Sequence, residues 1–220
     1  MAELDGPRIE PRAGGAARQL VVFLHGYGAD GNDLIEIGRA WQPAMPHAAF
    51  VSPHAPHPCS QAPTGREWFP LTDRAQNERW RGVTSAAPVL DRFLDAELTR
   101  RNLPPSALAL VGFSQGTMMA LHVGLRRAVA PFAIVGYSGL LVVDPNAQPE
   151  ALVAEIKSRP PVLLIHGDSD DLIPPQALFM AANGLASLEV PVEWHLSAGI
   201  GHGIDQEGLR QGGEFIARRA

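Results

Sequence analysis

The chain reads as an α/β protein with a mostly parallel central sheet and helices on both faces, and three observations carry that reading. Apolar, β-prone runs alternate with longer helix-patterned segments from Gln19 to the C-terminus, the order of elements that builds parallel sheets. Most of the runs are almost continuously apolar, as strands buried on both faces are. The length of 220 residues, 45% of them hydrophobic and 19% charged, suits one sizeable core. We therefore expect residues 1–220 to form a single domain, with 1–18 as a poorly structured or short-strand lead segment.

Taken in order, Leu20–Leu24 is the first strand and 33–41 the first helix. Ala49–Ser52 is the next strand, and it is followed by an irregular stretch, Pro53 to Gly82, too long for a simple connection. Trp68 and Phe69 in that stretch are candidates to wall a substrate pocket, with plain packing as the other reading. Helix 84–102 then leads to strand Ala107–Gly112, helix 115–128 to strand Phe132–Tyr137, and helix 148–158 to strand Val162–His166. Helix 175–188, strand Val192–Leu196 and helix 205–219 complete the series, leaving little chain for a large lid. Three arginine pairs, Arg100–Arg101, Arg126–Arg127 and Arg218–Arg219, fall at helix C-terminal ends and read as solvated caps opposing the helix dipole.

Composition removes several function classes. The formal net charge of −5 offers no basic field to nucleic acid. No apolar run is long enough to span a bilayer, and MAELDGPRIEPRAGG has no apolar signal core, so the expectation is a cytoplasmic protein without a membrane anchor. The one cysteine, Cys59, permits neither an intrachain disulfide nor a cysteine-based zinc site. The one lysine, Lys157, lies in the polar EIKSRP segment away from any strand end.

The sharpest motif is Gly112-Phe113-Ser114-Gln115-Gly116, between the apolar run LALVGF and the helical stretch QGTMMALHVGLRR. G-x-S-x-G in that setting places serine on a strained strand-to-helix turn with its hydroxyl exposed at the C-terminal edge of the sheet. The partners of such a serine follow in the order acid, then histidine. His166 precedes the aspartate cluster and His195 lies inside a strand, whereas His202 occupies a glycine-flanked turn beyond the last strand, where a base must sit. The acid comes from His166-Gly167-Asp168-Ser169-Asp170-Asp171, whose three aspartates spacing does not separate; Asp144 is a weaker alternative. Negative charge developing on a carbonyl oxygen needs preorganised N–H donors. The backbone N–H of Gln115 is one, and the N–H of Tyr27, between Gly26 and Gly28 after the first strand, is the other.

The same early glycines admit a rival reading. Gly26-Tyr27-Gly28-Ala29-Asp30-Gly31 fits G-x-G-x-x-G, the dinucleotide fingerprint, and points to an NAD(P)-dependent oxidoreductase. That fingerprint requires an acidic residue at the end of the next strand, and Phe50-Val51-Ser52-Pro53-His54 has none. His54 and His57 lack a carboxylate or cysteine cluster that would complete a metal site.

With these residues in place, the sequence resembles the phospholipase/carboxylesterase family of α/β-hydrolases, which includes acyl-protein thioesterases. The resemblance runs from about Gln19 to Arg218 and rests on FLHGYGADGNDL, SPHAP, GREWF, GFSQGTMMAL, YSGLL, HGDSDDLIP and GIGHGI. It implies the α/β-hydrolase fold without a large lid, and an enzyme that cleaves carboxylic esters or thioesters through an acyl-enzyme. It implies Ser114 as nucleophile, Asp170 as acid, His202 as base, and Tyr27 and Gln115 as backbone donors. No metal or cofactor is implied. The partner is an ester or thioester substrate, small or lipid, with thioesterase and lysophospholipase activities as alternatives. Members often pair, so a homodimer is compatible with it. Asp171 stands where many members carry proline.

Overall fold

The computed structural model describes residues 4–73 and 75–220. Its main sheet has seven strands: β1 (Arg8–Ile9), β2 (Gln19–Leu24), β3 (Ala48–Val51), β6 (Leu108–Phe113), β7 (Ala133–Tyr137), β8 (Val162–Gly167) and β9 (Val192–Ser197). They lie in the order β1-β3-β2-β6-β7-β8-β9, with only β1 antiparallel to its neighbour. β4 (His57–Pro58) and β5 (Arg66–Glu67) form a separate two-stranded hairpin. The helices are α1 (Gly31–Trp41), α2 (Gln76–Arg100), α3 (Gln115–Gly124), α4 (Pro149–Glu155), α5 (Gln176–Ser187) and α6 (Gln206–Ala217).

Strand alternation sorts the core into two layers. Leu20, Val22 and Leu24, Leu108 and Leu110, Ile134, and Val162 and Leu164 pack against α2, α3 and α5. Val21 and Phe23, Ala109 and Val111, Val135, and Leu163 and Ile165 pack against α1 and α6. Helices thus cover both faces, which is why each of these strands is apolar along its whole length.

Each of the six longer strands lies within one residue of its expected bounds. The largest difference is α2, which begins at Gln76 inside the stretch expected to be irregular. Gly82 obscures its first turns in the sequence, since glycine weakens an isolated helix. Burial of Val83, Ala86, Leu90 and Leu94 on the sheet overrides that weakness. Its first turn is also fastened, because Glu78 accepts the N–H groups of Thr72 and Asp73 at 2.6 and 3.2 Å. Helix α4 stops early because the amides of Lys157 and Ser158 turn to the carbonyl of Leu125.

The arginine pairs are not simply solvated caps. The Arg101 side chain is 6% exposed and donates to Glu97 at 2.5 Å, tying it to the helix one turn back. Arg127, 8% exposed, reaches across to Asp91 and Asp95 on α2. Arg101 also reaches Glu10 at 3.0 Å, and Arg126 pairs with Glu155 on α4, so both pairs join elements, while Arg100 stays exposed beside Glu97.

Candidate active site

The C-terminal ends of the parallel strands carry the site. Between β6 and α3 the chain turns within one residue, and Ser114 takes φ 54°, ψ −113°. A non-glycine residue holds that conformation only where its surroundings enforce it. Here the Ser114 N–H donates to Tyr137 O at 2.9 Å, while Ser114 O receives Thr117 N–H and Met118 N–H. Gly116 lets the helix start lie directly on β2, since a Cβ there would run into the carbonyl of Leu24. The result is a hydroxyl raised at the rim of the sheet, beside a helix N-terminus.

His202 comes to it from the β9–α6 loop. Its Nε2 lies 3.0 Å from Ser114 Oγ and its Nδ1 lies 2.7 Å from Asp170 Oδ2. The carboxylate only accepts, so Nδ1 carries the proton and Nε2 is left to receive the Ser114 hydroxyl. The loop is held by Gly199 N–H donating to Asp168 at 2.7 Å, by Ser169 N–H donating to Ile200 O at 2.9 Å, and by Ser197 Oγ donating to the α6 cap Asp205 at 2.8 Å, among other bonds. The ring also lies against Phe113, with centroids 5.0 Å apart.

The three aspartates of HGDSDD separate by direction. Asp170 is buried, whereas Asp168 and Asp171 face solvent. Oδ1 of Asp170 receives the N–H groups of Leu172 and Ile173, both at 2.9 Å. Its Oδ2 lies between His202 and His166, whose Nε2 is 3.2 Å away. Burial pushes this carboxyl up, but the Ile173 N–H, the His202 hydrogen bond and charge, and the Leu172 N–H together hold it below the usual carboxylate range. Asp168 serves the loop of His202 from outside, and Asp144 closes its own turn by accepting Asn146 N–H at 2.9 Å.

Gln115 follows Ser114 directly, and the Tyr27 loop begins beside it, since a Cβ at Gly26 would come within 3.4 Å of Ser114 Cβ. Gln115 opens α3, so its N–H has no helical acceptor, and neither it nor the Tyr27 N–H meets an acceptor among the described residues. The neighbouring glycines of GYGADG do not form a phosphate cradle. The Gly28 N–H is already taken by Arg66 O at 2.9 Å and the Gly31 N–H by His54 Nδ1 at 3.1 Å. The Tyr27 hydroxyl lies 3.2 Å from Ser60 Oγ.

Trp68 and Phe69 do not wall an open pocket. Both side chains are fully buried, and the Trp68 indole N–H donates to His25 O at 3.0 Å. Their aromatic character serves the core beneath the loop, so the packing reading holds for both. His54 and His57 lie apart from any ligand cluster, and no group of three metal-ligating side chains occurs among the described residues.

Two histidines carry structural weight that their sequence positions do not advertise. His166 is buried, with Nε2 2.8 Å from Ile173 O, bracing the turn that holds Asp170. His25 is buried beneath the Tyr27 loop, with Nδ1 donating to Gly26 O at 2.8 Å and Nε2 accepting Ala55 N–H at 3.0 Å. That pair of bonds needs the neutral ring, and burial pulls its pKa down from 6.5 to about 4. Below 6.5 the unfolded chain therefore binds a proton at this ring that the folded one refuses, so stability falls as pH drops toward 4. Between pH 7 and pH 5 the His25 contribution to that loss should be about 2 kcal/mol. Urea unfolding of the wild type and His25→Gln at both pH values checks it: the variant should lose less stability on acidification, and an equal loss in both rejects the assignment.

The sheet, the helix arrangement and this site define a hydrolase class. A profile of the phospholipase/carboxylesterase family matches residues 5–219, and the chain belongs to that family. It is 26% identical to acyl-protein thioesterase 1 of Gibberella zeae over 231 residues, covering 98% of both chains. It is also 26% identical to esterase YpfH of Escherichia coli K12, covering 88% of this chain and 80% of that one. Among solved structures, esterase PE8 superimposes with a TM-score of 0.93 at 45% identity over the full length of both chains. No helix among the described residues is long and apolar enough to cross a membrane.

Proposed function

We propose that the protein is a serine esterase or thioesterase working through an acyl-enzyme, in the cytoplasm and without metal or cofactor. The observation that carries this reading is the hydrogen-bonded line from Ser114 Oγ to His202 and on to the buried Asp170, at 3.0 and 2.7 Å. Ser114 Oγ attacks the acyl carbonyl carbon and its proton passes to His202 Nε2, while Asp170 holds the imidazolium in place. The carbonyl oxygen becomes an oxyanion and rests on the N–H groups of Tyr27 and Gln115, interactions that strengthen as charge develops. As the intermediate collapses, His202 returns the proton to the departing alkoxide or thiolate, leaving Ser114 acylated. Water then gives its proton to His202 and attacks the acyl carbon. Collapse of the second intermediate frees the carboxylic acid and restores the serine hydroxyl.

A thioesterase reading of the same site is favoured by the acyl-protein thioesterase 1 relative, aligned over 98% of both chains. A lysophospholipase would use the same set. Matched aryl oxygen esters and thioesters with acyl chains of two to sixteen carbons, assayed in parallel, separate these readings through their kcat/KM values. We expect turnover of the short oxygen esters, with a fluorophosphonate blocking it by attachment to Ser114. Attachment at another residue, or turnover that survives full labelling of Ser114, would overturn the proposal.

A further inference from the structure

The segment GREWF, residues 65–69, contributes none of the reacting groups, yet it touches the loops on which both oxyanion donors sit. On one side it brackets Tyr27. The Arg66 N–H donates to Ala29 O at 2.7 Å and Arg66 O receives the Gly28 N–H at 2.9 Å, a short ladder just beyond Tyr27. Just before Tyr27, the Trp68 indole N–H holds His25 O at 3.0 Å. Gly65 is needed for this approach, because a Cβ there would meet the carbonyl of Gly28. On the other side the segment grips Gln115. The Trp68 backbone N–H donates to Gln115 Oε1 at 2.9 Å, and Gln115 Nε2 donates to Phe69 O at 2.8 Å. The Gln115 side chain is fully buried, so this two-point clasp has no competing water.

The strut is itself anchored. The Arg66 guanidinium donates to Ala55 O at 2.6 Å and Pro56 O at 2.8 Å, fastening β5 to the chain leaving β3. From these contacts we infer that residues 65–69 are a common positioning strut for the oxyanion hole, with the Gln115 amide and the Arg66 guanidinium as its two positioning side chains. The clasp needs one acceptor and one donor on a single short planar group, which an amide supplies and a methionine does not. The inference rests on the hydrolase reading above. In that reading the two N–H groups converge on one oxygen, so a displacement of either by a fraction of an ångström weakens the transition state more than the bound substrate.

The test uses Gln115→Met, Arg66→Met and the double variant of the full chain. Titration with a fluorophosphonate counts competent sites, so that kcat is expressed per titrated Ser114. Loss of a whole oxyanion donor costs about 10²- to 10³-fold in kcat; a displaced donor in Gln115→Met should cost about tenfold to a hundredfold per site, with KM changed less than threefold. Arg66→Met should lose about tenfold in the same manner. The double variant should lose less than the product of the single losses, because both break one strut. If Gln115→Met does not fold, Gln115→Glu and Arg66→Met take its place in the cycle. A wild-type kcat per titrated site in a variant that only melts earlier overturns the inference, as do losses that multiply independently. A wild-type protein that takes up no fluorophosphonate at Ser114 overturns the hydrolase reading and the strut together. Labelling that is normal throughout with unchanged kcat overturns the strut alone.

Discussion

Ser114→Ala should lower kcat for a short-chain aryl ester by on the order of 10⁶-fold, the scale at which removal of a serine nucleophile leaves only background assistance. The side chain lost is one oxygen, and the backbone that presents it is held by other means. The Ser114 N–H bond to Tyr137 O and the bonds from Thr117 and Met118 to Ser114 O involve no side-chain atom of Ser114. The variant should therefore fold as the wild type does, with a melting temperature close to it, since alanine meets the same strain at a φ of 54° and the surroundings that enforce it remain intact. A thermal melt beside a steady-state assay reads both halves of the expectation. Substantial turnover in a folded Ser114→Ala protein would remove Ser114 from the chemistry. Loss of both fold and turnover would instead show that the hydroxyl stabilises the β6–α3 turn.

The parts of this molecule that can be read from sequence are those whose physics is local. Strands such as Leu108–Phe113 are buried on both faces and announce themselves as continuous apolar runs. Ser114 and His202 sit on turns whose glycines mark them. The N-terminal end of α2 is hidden because its support comes from the core and from the carboxylate of Glu78, neither visible in a run that contains Gly82. β4 and β5 are two residues each, too short for any periodicity to register. Trp68 and Phe69 look like loop aromatics available to a ligand, and only their packing shows that they are core. The roles of His25, His166 and the Gln115 amide depend on bonds across the fold or on which way a turn directs a side chain. Gln115 and Phe69, for example, are 46 residues apart.

The choice among the three aspartates shows the same limit, and it carries the second large effect. Asp170→Asn should reduce kcat by roughly 10⁴-fold, as expected when the imidazole is held in the wrong tautomer. The surroundings dictate which way the new amide must face. Oδ1 of Asp170 accepts two backbone N–H groups, from Leu172 and Ile173 at 2.9 Å each, so the asparagine oxygen has to stay there; an NH₂ in that place would oppose two donors. The NH₂ is then turned toward His202 Nδ1, at the position where Oδ2 lies 2.7 Å away. A donor there requires Nδ1 to accept, which moves the ring proton to Nε2, the atom that must take the proton of Ser114. The base is thereby disabled although every heavy atom keeps its place. Asp168→Asn meets no such conflict, because its Oδ1 accepts from Gly199 N–H at 2.7 Å and Ser169 Oγ at 2.8 Å, and an asparagine oxygen accepts equally well. That variant should stay within about tenfold of wild type. Measuring kcat for both on the pH plateau decides the matter: the reverse ranking would transfer the acid's role to Asp168, and comparable losses would mean that the loop bearing His202, rather than its tautomer, controls the rate.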